Sequence, residues 1–174
     1  MVKIWIFLTC FLFLTIACRE NNRKLSGKSP QEQKDALIRI NKYLVKKDAE
    51  AIKGFITRRG WSMVETKSGL WFEKIEEGKG AKAEIGKMAT LDYKLWLLDG
   101  TLYYSSDSLG AKSFLIGKGG VEPGLETGIL MLREGDKARL ILPPHLGFGL
   151  MGDENRIPAR ATLVYEIKVV KISD

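Results

Sequence analysis

Thiols are almost missing from this chain. Of its 174 residues only Cys10 and Cys18 are cysteine, and both precede residue 19. The body beyond them can form no internal disulfide and offers no thiolate set for a structural zinc site. Histidine is scarcer still: His145 stands alone, just after Pro143-Pro144, where a loop residue is expected. Ser/His and Cys/His triads are thereby left with a single candidate base. Long apolar runs are missing too, since the longest, Ile4 to Ala17, has fourteen residues. At about 1.5 Å per residue it reaches roughly 21 Å, short of the ~30 Å hydrocarbon core. No finger, recognition-helix or aromatic nucleic-acid signature is present, which argues against nucleic acid as a partner. Internal repeats and low-complexity segments are absent as well.

What is present divides the chain into unequal parts. Hydrophobic residues make up 45% and charged residues 28%, the balance of a folded protein with one core. Met1-Val2-Lys3 followed by the short apolar run has the order of a secretory signal peptide. The run ends Thr15-Ile16-Ala17-Cys18, which resembles a bacterial lipobox, where small residues precede a cysteine that is acylated and becomes the first residue of the mature protein. Ordinary signal cleavage beside an incidental cysteine is the alternative. Charge is also uneven: residues 18 to 60 carry 12 Lys/Arg against 5 Asp/Glu, whereas residues 61 to 174 carry 15 against 16. A basic arm beside a lipid anchor would favour an anionic membrane surface or an acidic partner, or simply be a solvated face.

Residues 19 to 28 are polar and without period, as in a tether. Ser29-Pro30-Gln31-Glu32 then combines an N-cap serine, a first-turn proline and a glutamate three residues after the cap, which predicts a helix start. Leu37, Ile40 and Leu44 recur at helical spacing, Asp48 can cap a second segment carrying Ile52, Phe55 and Ile56, and Arg58-Arg59-Gly60 is a helix stop. This stripe must bury on the following domain or on a second copy in a dimer. From Met63 the period changes to two. Strands are expected at Leu70–Ile75, Met88–Leu98, Thr101–Tyr104, Lys137–Leu142 and Ala161–Ile172, with a helix from Glu122-Pro123 to Leu132. Several strands and one short helix predict an α+β domain, an antiparallel sheet wrapped on a short helix and preceded by a helical arm.

Gly147-Phe148-Gly149-Leu150-Met151-Gly152 matches the dinucleotide pattern GxGxxG, yet Asp153-Glu154-Asn155-Arg156-Ile157-Pro158 follows it instead of a helix, and only 22 residues remain. Nucleotide binding is therefore not expected. The acidic pairs Glu76-Glu77 and Asp153-Glu154 lie in turn-rich segments and read as solvated.

Four segments carry a more specific signal. LLDGTLYYSS, FLIGKGGVEPGLETGI, GDKARLILPPHLGFG and IPARATLVYEIKVVKI resemble, in order and spacing, the FKBP-type peptidyl-prolyl cis-trans isomerase domain over about Gly86 to Ile172. The lipobox and arm also resemble the isomerase lipoproteins of Bacteroidetes, including gliding-associated ones. The implied parts are a signal peptide (1–17), a lipidated tether (18–28), a basic helical arm (29–60) and an FKBP-like isomerase domain (61–174). The implied pocket residues are Tyr93, Tyr103, Val121, Phe148, Ile157 and Tyr165, matched in type. Tyr104 stands where the family has an acid, Leu125 where it has a pocket-floor Trp, Glu122 where an Ile offers its backbone N–H to the ligand, and Lys112 where an aromatic often stands. The resemblance implies isomerisation of X–Pro bonds in exported client proteins without cofactor or metal, by an envelope enzyme held through Cys18 and facing the periplasm. A non-catalytic peptide-binding chaperone or assembly module on the same fold is the other reading. The lost acid and lost Trp predict reduced turnover and weaker macrolide binding, with Tyr104→Asp leaving activity equal or higher.

Overall fold

The computed structural model describes residues 29–174; the signal, tether and lipobox expectations, Cys10 and Cys18 among them, lie outside the described residues. Contacts divide the chain between Arg39 and Ile40 into two units. Within residues 29–39 the capping box is complete. Ser29 Oγ accepts the Glu32 N–H at 3.2 Å, and the Ser29 N–H donates to Glu32 Oε2 at 2.7 Å.

The helix so begun, α1 (Pro30–Arg59), runs without interruption, so Asp48 starts no second segment. Nothing between Leu44 and Ile52 breaks a helix, and the Asp48 carboxylate instead pairs with Arg160 at 2.9 Å. The stop is as expected: Gly60 is left-handed (φ 65°), and the Trp61 N–H returns to the Ile56 carbonyl at 3.2 Å. The stripe behaves unevenly. Ile52 and Phe55 are 1% and 3% exposed, whereas Leu37 and Ile40 are 61% and 53% exposed.

Seven strands follow: β1 (Val64–Glu65), β2 (Trp71–Glu76), β3 (Met88–Leu97), β4 (Leu102–Ser105), β5 (Lys112–Leu115), β6 (Lys137–Leu142) and β7 (Leu163–Ser173). All pair antiparallel in the order β1-β2-β6-β7-β3-β4, with β5 also on β3. Two short helices, α2 (Ser106–Leu109) and α3 (Pro123–Ile129), complete the domain. α3 ends three residues before the expected Leu132, because Met131 and Leu132 N–H groups bond back three residues to Gly128 and Ile129 and tighten the chain into a turn.

Strand alternation sorts side chains onto two faces. Ala89, Leu91, Tyr93 and Leu95 of β3, Ala138, Leu140 and Leu142 of β6, and Leu163, Tyr165, Ile167 and Val169 of β7 enter the main core with Leu125 and Ile129 of α3. Trp71, Ile141 and Val164 face the other way and cover Ile52, Phe55 and Ile56 of α1. Gly124 and Gly128 let α3 press onto the sheet, since a Cβ on either would fall 2.5 Å from Leu142 or 2.6 Å from Leu140. Asp136, in the turn just before β6, is buried. It accepts the N–H groups of Gly78 at 2.6 Å and Arg133 at 2.8 Å and pairs with Lys74 at 3.0 Å.

Candidate functional site

Register places a row of side chains across the sheet: Leu140 of β6 lies opposite Tyr165 of β7, which lies opposite Leu95 of β3, which lies opposite Tyr104 of β4. Tyr165 is wholly buried, and its ring centroid is 6.3 Å from that of Tyr93. Leu125 from α3 and Ile157 from the β6–β7 connection are buried in the same cluster. Tyr103, Tyr104, Val121 and Phe148 lie half-buried against it. The structure thus assembles Tyr93, Tyr103, Tyr104, Val121, Leu125, Phe148, Ile157 and Tyr165 at one place, but at two depths. Leu125 and Tyr165 are floor beneath the surface, and Tyr103, Tyr104, Val121 and Phe148 reach it. Beside Val121 and Phe148 a depression of about 380 Å³ is lined also by Lys112, Gly120, Glu122, Pro123 and Gly147.

Glu122, the N-cap of α3, was expected to act through its backbone N–H, which as a cap group stands outside the helix ladder. Its side chain is also part of the site. The buried Tyr165 hydroxyl donates to Glu122 Oε1 at 2.7 Å. Oε2 is buried without a hydrogen bond, and Lys112 Nζ stands 3.9 Å from it and 5.2 Å from the Tyr93 ring centroid. Tyr165 and Glu122 therefore act as a pair, the hydroxyl supplying a donor to a carboxylate that burial would otherwise penalise. Burial, then the Glu122 charge and the hydrogen bond to it, hold the Tyr165 hydroxyl well above the usual phenol range. It remains a donor at neutral pH. Burial, followed by the Glu122 charge, raises Tyr93 as well.

Asp153 corrects the sequence reading more strongly. Far from being a solvated loop acid, it gathers with Oδ1 the N–H groups of Ile157 at 2.7 Å, Arg156 at 2.9 Å and Asn155 at 3.0 Å. Its Oδ2 accepts the Tyr104 hydroxyl. Burial pushes the Asp153 carboxyl upward, but the Tyr104 hydroxyl and the three N–H groups outweigh it and leave the group below the usual carboxylate range. Nearby, Arg156 Nη1 donates to the Tyr103 carbonyl at 2.8 Å, with its guanidinium 5.8 Å and 5.5 Å from the Tyr103 and Tyr104 ring centroids. The available signal was the Asp-x-Asn run after Gly152, a turn-forming pattern in which an aspartate caps the next N–H groups. Glu76 and Glu77 are exposed, as read, and His145 lies in a short 3₁₀ turn with Nε2 3.0 Å from the Ser68 carbonyl. Among the described residues no three His, Cys, Asp or Glu side chains gather as a metal ligand set.

An antiparallel sheet wrapped on one short helix, with aromatic side chains gathered above that helix, defines an FKBP-like domain. The model of the FKBP-type peptidyl-prolyl cis-trans isomerase family matches residues 79–170, more than half of the chain, and the chain belongs to that family. An FK506-binding protein of Neisseria meningitidis serogroup B is 36% identical over 105 residues, 60% of this chain and 96% of that protein. Among solved structures, AtFKBP13 superposes with a TM-score of 0.61 at 29% identity, over 63% of this chain and 98% of that one. FkpA from Escherichia coli superposes with a TM-score of 0.64 at 25% identity, over 83% of this chain and 73% of that one. The protein is an FKBP-type peptidyl-prolyl cis-trans isomerase, acting on proline-containing polypeptide.

Proposed function

We propose that the clients are exported proteins and that the enzyme works on them from a bacterial cell-envelope membrane, facing the periplasm, as a lipoprotein tethered through Cys18. Its relatives would be the Bacteroidetes isomerase lipoproteins that the lipobox and arm resemble. The half-buried surface of Tyr103, Tyr104, Phe148 and the aliphatic Val121 above a buried apolar floor is the observation that carries the catalytic part of this reading. Rotation about an X–Pro bond passes through a twisted amide that has lost resonance, with a barrier of ~18–20 kcal/mol in water. The twisted form has a less polar carbonyl, so a surface that strips water favours it over the planar ground state. Each ~1.4 kcal/mol of that preference accelerates rotation about tenfold. The Glu122 N–H holds a substrate carbonyl while the bond turns.

Acceleration of cis–trans exchange in several X–Pro tetrapeptides by a protein spanning residues 19–174 tests the reaction. No acceleration by a folded sample would return the protein to the chaperone reading. For the tether, Cys18→Ser abolishes fatty-acid labelling, and retained labelling rejects it. In the same scheme two copies pair through the exposed Ile40 and Tyr43 on α1. Sedimentation of wild type against Ile40→Glu decides that, a monomer in both excluding it.

A further inference from the structure

We infer that Asp153 is a positioning residue of the isomerase site, one carboxylate that both shapes the loop carrying Phe148 and Ile157 and straps that loop to β4 through Tyr104. The inference rests on the isomerase activity and extends it to a residue outside the expected pocket. Its two oxygens do different work. Oδ1 closes the chain on itself by taking the N–H groups of Asn155, Arg156 and Ile157. Oδ2 reaches across to the Tyr104 hydroxyl, and Asn155 Nδ2 donates to that same hydroxyl oxygen at 3.3 Å.

The backbone around Asp153 is built for this turn. Gly152 has φ 74°, and a Cβ there would fall 2.3 Å from the Ile157 carbonyl, which itself accepts the Asp153 N–H at 3.2 Å. A loop tied only to itself could swing as a unit. Tyr104 ties it to the sheet beside the Arg156 hydrogen bond to the Tyr103 carbonyl, because Tyr104 sits opposite Leu95, within the row that continues to Tyr165. Phe148 and Ile157 bracket Asp153 in sequence, so the strap fixes one wall of the hollow relative to its floor. The hydroxyl stands on β4 at Tyr104 and the carboxylate on the loop at Asp153, so Tyr104, where the resemblance implied an acid, has a carboxylate partner after all.

The test is a double-substitution cycle read in peptide isomerisation and in unfolding by denaturant. Asp153→Ala lowers kcat/KM about ten- to thirtyfold, since small misplacements of binding groups are costly. Tyr104→Phe, which keeps the loop's own hydrogen bonds, lowers it several-fold, and Asp153→Asn recovers most of the loss. The pair Asp153→Ala with Tyr104→Phe is no worse than Asp153→Ala alone. Coupling in kcat/KM that exceeds any coupling in unfolding free energy marks positioning rather than general support. Losses that multiply independently, or Asp153→Ala within twofold of wild type, overturn the inference. If wild type shows no turnover, the isomerase reading fails instead, and backbone amide shifts judge the strap: shifts at Phe148 and Ile157 that do not change in Tyr104→Phe overturn it. Should Asp153→Ala fail to fold, Tyr104→Phe and Asp153→Asn carry the same comparison.

Discussion

Two tyrosine–carboxylate pairs lie in or against the main core, and burial separates their roles. Tyr165 and Glu122 are both buried beneath the surface, locked between β7 and the start of α3. Tyr104 and Asp153 are half-buried at the rim, joining a strand to a loop. The chemistry is the same, yet a bond in the floor holds elements that the core already fixes, while a bond at the rim joins a loop to β4 with only Arg156 on the Tyr103 carbonyl beside it and Ile157 beneath. Floor substitutions should therefore be read mainly in stability and rim substitutions mainly in catalysis.

The largest effect is expected for Tyr165→Ala, which empties an aromatic site and strands the Glu122 carboxylate. About 3–5 kcal/mol of unfolding free energy is lost by analogy with other buried aromatic truncations, and activity falls with it. A denaturant titration that moves by under about 1 kcal/mol would break the assignment of Tyr165 to the floor. Tyr165→Phe is gentler. It leaves Glu122 Oε1 without its donor at a cost of about 1–3 kcal/mol, with the aromatic packing retained. Adding Glu122→Gln to it recovers part of that loss, because a neutral amide is cheaper to bury than a carboxylate.

Leu125→Trp loads the floor instead of emptying it. Leu125, where the resemblance implied a Trp, is fully buried in the main cluster. The larger ring overpacks by about 1–3 kcal/mol rather than restoring a family-like pocket, as a lowered thermal midpoint will show. At the rim, the geometry reverses the expectation for Tyr104→Asp. A second carboxylate would face Asp153, so activity on tetrapeptides falls below wild type and recovers partly at low pH.

The smallest effect concerns acid. Burial raises Asp136, but the N–H groups of Gly78 and Arg133 and the Lys74 ammonium outweigh it, so Asp136, like Asp153, lies below the usual carboxylate range. A depressed folded value contributes stability that is complete above the unfolded value of about 3.9 and is lost as pH falls through the folded one. Stability is thus level from neutral pH to about pH 5 and declines in stronger acid, with a shallower decline in Asp136→Asn. A slope that begins near neutrality would contradict this.

Much of the architecture is set by periods readable in one dimension. Alternation from Met88 to Leu97 and from Leu163 to Ser173 names the buried side of each strand, and the capping box at Ser29 and Gly60 mark both ends of α1. These are local because each rests on spacing and backbone preference within a few residues. Four motif segments likewise named the side chains that converge around Tyr165. Only the tertiary structure decided what polar groups do there. Glu122 meets Tyr165 across 43 positions, Tyr104 meets Asp153 across 49, and Asp48 meets Arg160 across 112. No local pattern encodes such pairs, since a carboxylate in a turn looks the same whether water or a distant hydroxyl finally faces it. The uneven stripe of α1 is decided in the same way: its period is regular from Ile40 to Phe55, but the sheet offers Trp71, Ile141 and Val164 only to its last turns.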